Sequence, residues 1–132
     1  MKFARTVFFL AGVFGVIVLT RGYLNAPPRL LGPVFYYGFL GVAFSWQAAF
    51  FLIGSDPSRY RPIMLAGALA KLSFFGTCMV LLDGGQLKLG VTVYTSFCDA
   101  AFAVLFIASF VLLATKIPVG SAAAVTADLR AR

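Results

Sequence analysis

Residues 63–82 read IMLAGALAKLSFFGTCMVLL, twenty positions carrying a single charge, Lys71. A helix rises 1.5 Å per residue and the hydrocarbon core of a bilayer is about 30 Å thick, so about 20 such residues cross it. The run is too long for a β-span and lacks the two-residue alternation of polar and apolar side chains that a barrel strand needs. Three further apolar runs of similar length lie at about 3–20, 34–54 and 91–115. Together they predict an all-α protein, a four-helix transmembrane bundle.

The composition agrees. Of the 132 residues, 61% are hydrophobic and 11% charged, against about 25% charged in a soluble domain. The mean hydropathy is +0.97. There is no His and no Glu, which removes most general-base chemistry and most zinc, iron or copper sites. No metal and no cofactor is expected. The net charge of +7 comes from Lys and Arg placed mostly in short connectors, not in a run or stripe. Such charges face lipid headgroups and set orientation, so nucleic acid is not an expected partner.

The connectors carry stop signals. Residues 21–33 contain Pro27, Pro28 and Pro33 and cannot continue a helix. The second connector is Ser55-Asp56-Pro57-Ser58-Arg59-Tyr60-Arg61-Pro62, in which Ser55 or Asp56 can cap a short turn and Pro62 suits a first helical turn. The third, Asp83 to Gly90, is a tight turn. Pro118 closes the fourth helix, which divides the chain into a membrane domain over 1–117 and a flexible cytoplasmic tail over 118–132. Lys2 and Arg5 before an apolar segment also fit a signal peptide. However, Leu24-Asn25-Ala26 is a poor small-x-small cleavage site, so the first run is read as a retained span.

Connectors this short make sequential helices antiparallel neighbours, an up-down-up-down bundle. Lys2, Arg5, Arg59, Arg61, Lys116, Arg130 and Arg132 fall on one side, and Arg21, Arg29 and Lys88 on the other. The positive-inside rule then puts both termini in the cytoplasm. Small residues mark candidate packing faces: Gly12 and Gly15; Gly41, Ser45 and Ala49; Gly67 with Ala66 and Ala70. Phe and Tyr are expected on the lipid face and in interfacial belts, with Tyr36, Tyr37 and Tyr60 near span ends.

Lys71 and Asp99 are the telling residues, because an ionisable group deep in a span costs at least ~2.5–3.5 kcal/mol. Counting residues puts Lys71 roughly 13 Å from one face and Asp99 roughly 12 Å from the other, about 5 Å apart in depth. Gln47 falls roughly 10 Å in, and Thr95 lies one turn from Asp99 on the same helix face. Lys71, Asp99, Gln47 and Thr95 form the candidate intramembrane site. It is either a site for a proton, ion or polar headgroup, or a structural ion pair that sets helix register. Cys78 and Cys98 come out at similar depth and allow a redox pair, although buried Cys usually packs as a small apolar residue. Arg59, Tyr60 and Arg61 form a candidate headgroup interface.

The segment from Asp56 through Leu65 to Lys71-Leu72 resembles the junction of the second and third helices in small DoxX-like bacterial four-helix membrane proteins. The resemblance implies a fold and a compartment, a bacterial inner (plasma) membrane, and in some relatives quinone-linked sulfur oxidation, but no catalytic motif carries over residue by residue. The expected role is a binding or accessory membrane component with membrane lipids as partners. The expected associations beyond lipid are a hydrophobic ligand or quinone, and a larger membrane complex or homo-oligomer. The alternatives are a quinone-linked subunit of an oxidoreductase and a proton- or solute-binding transport component.

Overall fold

The computed structural model describes residues 1–25 and 32–115. Pro27, Pro28, Arg29 and the expected tail over 118–132 lie outside them. Four helices follow in order: α1 (Lys2–Leu24), α2 (Pro33–Ser55), α3 (Arg61–Asp83) and α4 (Val91–Ala114). All four are long and apolar enough to cross a membrane, and no strand occurs among the described residues. This is the make-up of a multi-pass membrane protein. α1 runs four residues past the expected end at Thr20, because Arg21-Gly-Tyr-Leu keeps its backbone bonded within the helix until Asn25 turns extended.

Local chemistry sets the ends. Pro33 and Pro62 occupy first-turn positions of α2 and α3, where the missing N–H costs nothing. The Asp56 carboxylate accepts the Arg59 backbone N–H at 3.2 Å, whereas the Ser55 hydroxyl turns back to the Leu52 carbonyl. Asp56 is therefore the cap of the second connector. After α3, Gly85 adopts φ +69, a left-handed conformation that favours Gly. The amides of Gln86 and Leu87 then close on the Leu81 carbonyl, each at 2.9 Å.

Cross-helix pairs fix the directions. Along α3 and α4, Arg61 meets Phe110, Lys71 meets Asp99 and Phe75 meets Phe97. Along α1 and α2, Arg5 meets Ser55, Phe9 meets Phe51 and Tyr23 meets Tyr37. Numbers rise on one helix as they fall on the other, so both pairs are antiparallel. Phe8–Phe106 with Phe14–Phe102, and Gly67–Phe50 with Phe39–Phe74, show the same for α1–α4 and α2–α3. The seams within the α1–α2 and α3–α4 hairpins are far more extensive than those between the hairpins.

The shared core sits toward the face carrying Met1 and the second connector, here the near face. At its centre Phe8 stacks on Phe106 with centroids 4.1 Å apart, and Phe50 meets Phe106 edge-on at 5.1 Å. Three Phe thus occupy the middle of the bundle, which corrects the expectation that they serve the lipid face. Lipid gives helices no hydrophobic reason to associate, so shape-filling aromatic contact takes over that role.

The small-residue series divide. Gly12, Gly15 and Gly67 are buried against neighbouring helices. The Gly41-Ser45-Ala49 series does not mark the inner face of α2: Ser45 is exposed, and the buried residues are Leu40, Gln47, Phe50, Ile53 and Gly54. Ala66 is likewise exposed. Gln47 decides the rotation of α2, since a carboxamide facing lipid is costly. Ser45 tolerates lipid because its hydroxyl donates to the Gly41 carbonyl at 3.1 Å.

Candidate functional site

Register along the α3–α4 seam brings the two intramembrane charges together. The Lys71 ammonium donates to Asp99 Oδ1 at 2.5 Å, an ion pair whose side chains are 10% and 16% exposed. Asp99 stands eight residues into α4, roughly 12 Å below the far face, and Lys71 ten residues into α3, roughly 15 Å from the near face. The lysine stem spans the difference. The ammonium also lies 5.5 Å from the Phe50 ring centroid and 6.0 Å from that of Phe102, within range of the rings' negative faces. Carboxylate on one side and phenyl rings on the others replace the water that both charges gave up.

Gln47 and Thr95 do not join this pair by hydrogen bonds. Gln47 is 4% exposed; its Nε2 donates to the Ala43 carbonyl at 2.7 Å. Its Oε1 has no hydrogen-bond partner among the described residues and lies against α1 where a side chain on Gly15 would sit. A Gly Cα–H facing an amide oxygen is a weak hydrogen bond, worth about 0.5–1 kcal/mol. Gln47 therefore belongs to the α1–α2 seam, and the expected polar layer resolves into two separate contacts. Thr95 is half-buried one turn above Asp99, and its hydroxyl is spent on the Thr92 carbonyl at 2.9 Å. The same device hides Ser96 and Ser109, both fully buried and bonded to carbonyls of their own helix.

Cys78 is buried and Cys98 exposed, and both are free thiols. Their similar depth along the bundle does not bring them to the same face.

At the near face, Arg59 and Arg61 have different surroundings. The Arg61 Nε donates to the Phe110 carbonyl at 3.1 Å, and its guanidinium lies 4.1 Å from the Phe110 ring centroid. It ties the start of α3 to the last turns of α4. Arg5 does the same for α1 and α2, donating to the Ser55 carbonyl at 2.9 Å. Both guanidiniums meet the negative end of a helix. Arg59 is exposed, 5.6 Å from the Tyr60 ring centroid, and its side chain is directed to no other helix by any described hydrogen bond. Arg61→Ala is expected to lower stability by about 1–2 kcal/mol, the worth of a charged hydrogen bond with ring contact. Arg59→Ala should leave stability unchanged but weaken retention of anionic lipid. Thermal unfolding in detergent, with native mass spectrometry of bound lipid, separates the two. Equal stability losses would show that both arginines hold helices together.

Two grooves lie on the membrane-facing surface. One runs along the α1–α2 seam from Tyr23 and Leu24 to Gln47 and Phe51. The other is lined by Val42, Ser45, Trp46, Ala49 and Ile63. Neither includes Lys71 or Asp99. Nothing in the sequence signalled the phenyl surround of Lys71 or the pairing of Gln47 with Gly15, because both depend on helix rotation. No family model, curated protein or solved structure matches the chain.

Proposed function

We propose that this protein is an accessory component of a bacterial inner (plasma) membrane, with both termini on the cytoplasmic side. It acts by binding within the bilayer and not by moving protons. The observation that carries this reading is the closure of the Lys71–Asp99 pair by Phe50 and Phe102, with neither membrane-facing groove reaching it. A relay for protons or ions needs polar groups that pass charge onward. Here the neighbouring hydroxyls of Thr95 and Ser96 are turned back on their own helix. The pair instead holds α3 and α4 in register, and what the bundle presents to partners is its outer surface. The basic bias toward the near face supports the orientation, and the DoxX-like resemblance agrees with the compartment.

The protein reconstituted in proteoliposomes with an imposed pH gradient tests the mechanism. The gradient should decay at the rate of protein-free vesicles. A faster decay that Asp99→Asn abolishes would overturn the reading in favour of proton transport. Reporter fusions test the orientation: one at Arg132 should read cytoplasmic and one between Asp83 and Gly90 periplasmic, and the reverse pattern would invert it.

A further inference from the structure

Buried apolar residues are unevenly divided along the bundle. Every member of the core shared by the two hairpins, from Ala4 and Ile53 to Ala68 and Ala103, lies in the near half of its helix. The buried apolar residues of the far half, Leu19 and Leu40 on one hairpin and Cys78 and Val93 on the other, do not belong to that core. Packing there runs within each hairpin: Leu40 lies against Gly22, and Phe75 meets Phe97 edge-on. Among the described ring contacts between hairpins, the one farthest out is Phe39 against Phe74, with centroids 5.9 Å apart. Phe39 is itself exposed.

The near ends are tied together as well as packed. Arg5 joins α1 to the end of α2, the connector buries Pro57 completely, and Arg61 joins the start of α3 to α4. Nothing comparable joins the hairpins at the far face among the described hydrogen bonds, which there stay within one hairpin. Lipid tails are as apolar as these side chains, so helices that part in a bilayer lose packing but no hydrophobic burial. An exposed ring pair loses least, because each ring keeps its lipid contact. We propose that the two hairpins rock apart at the far face, pivoting on the Phe8–Phe50–Phe106 cluster, with Phe39–Phe74 as the latch. Lys71 and Asp99 belong to one hairpin, so opening leaves their bond intact and α3 and α4 move as one body. The motion uncovers the inward far-half faces of both hairpins to the far leaflet while the near face stays shut, a hinge of a few rigid elements about a packed core.

The test measures spin-label distances in the full chain, reconstituted in phospholipid nanodiscs with Cys78→Ala and Cys98→Ala removing the native thiols. Labels at Val34→Cys and Val80→Cys report the far ends of α2 and α3, and labels at Leu52→Cys and Leu65→Cys the near ends. All four positions are exposed, so the labels leave the packing undisturbed. The near pair should give one narrow distance and the far pair a broad distribution with a second, longer population. Phe39→Ala, also at an exposed position, should raise that longer population about twofold, the worth of a weak ring contact. Equally narrow distances at both ends, in the parent and in Phe39→Ala, would overturn the proposal. A near pair as broad as the far pair would overturn the pivot, since the hairpins would then separate along their whole length. A longer population unchanged by Phe39→Ala would overturn the latch.

Discussion

Asp99→Asn alone is expected to destabilise the bundle by about 3 kcal/mol, at the low end of the 3–5 kcal/mol for breaking a buried pair. The substitution keeps the shape of the side chain and removes only the charge. What it leaves behind is the ammonium of Lys71, a residue 8% exposed and roughly 15 Å from the near face. Snorkelling gives little relief at that depth, and the ammonium would have to leave the Phe50 and Phe102 rings, whose centroids lie 5.5 and 6.0 Å from it. The low end applies because the unpacked helices remain in the membrane, where polar groups also find partners. Lys71→Met should cost a similar amount by stranding the carboxylate. The double variant should recover a large part of both losses, since neutral side chains of similar volume replace the pair. Thermal unfolding in detergent of the singles and the double decides it. Additive losses would mean that the residues act independently, against the ion pair observed at 2.5 Å.

Gly15→Ala is the second large effect. A Cβ at Gly15 would overlap the Gln47 carboxamide, whose Nε2 is anchored to the Ala43 carbonyl. The α1–α2 seam must open or Gln47 must abandon its rotamer, at a cost of about 1–3 kcal/mol. If Gln47 swings outward, its amide faces hydrocarbon and adds a polar penalty. Gly15→Ala combined with Gln47→Ala removes the obstacle and should restore most of the stability. Gly38 and Gly76 serve as controls, because a Cβ at either meets nothing within 4 Å. Their Ala variants should be neutral or slightly stabilising, as Ala restricts the unfolded chain more than Gly. A Gly15→Ala variant as stable as the Gly38→Ala control would sink the claim that Gln47 pins the two helices.

The difference between these glycines shows how far composition and spacing reach. Gly12, Gly15, Gly41 and Ser45 look alike as small residues in apolar runs, and the first two are buried against α2 while Ser45 is exposed. Spacing of three or four places residues on one face but does not say which face meets a neighbour. Likewise Arg59 and Arg61, two positions apart, were indistinguishable as connector cations. Only the meeting of α3 with α4 engages Arg61 with Phe110.

Four helices and their approximate ends followed from run length, proline and glycine alone, because hydrocarbon demands an unbroken apolar helix about 20 residues long and satisfies no backbone group outside it. The pairing of Lys71 with Asp99 was also legible, as charges of opposite sign at similar depth have few other refuges in a bundle this small. The tertiary structure decided the rest. It turned Gln47 toward Gly15 and away from the ion pair, enclosed Lys71 in Phe50 and Phe102, and moved three phenylalanines from the lipid surface to the core. Those outcomes depend on the rotation of each helix about its own axis. In a uniformly apolar sequence that angle leaves almost no periodic trace, and close packing between helices sets it.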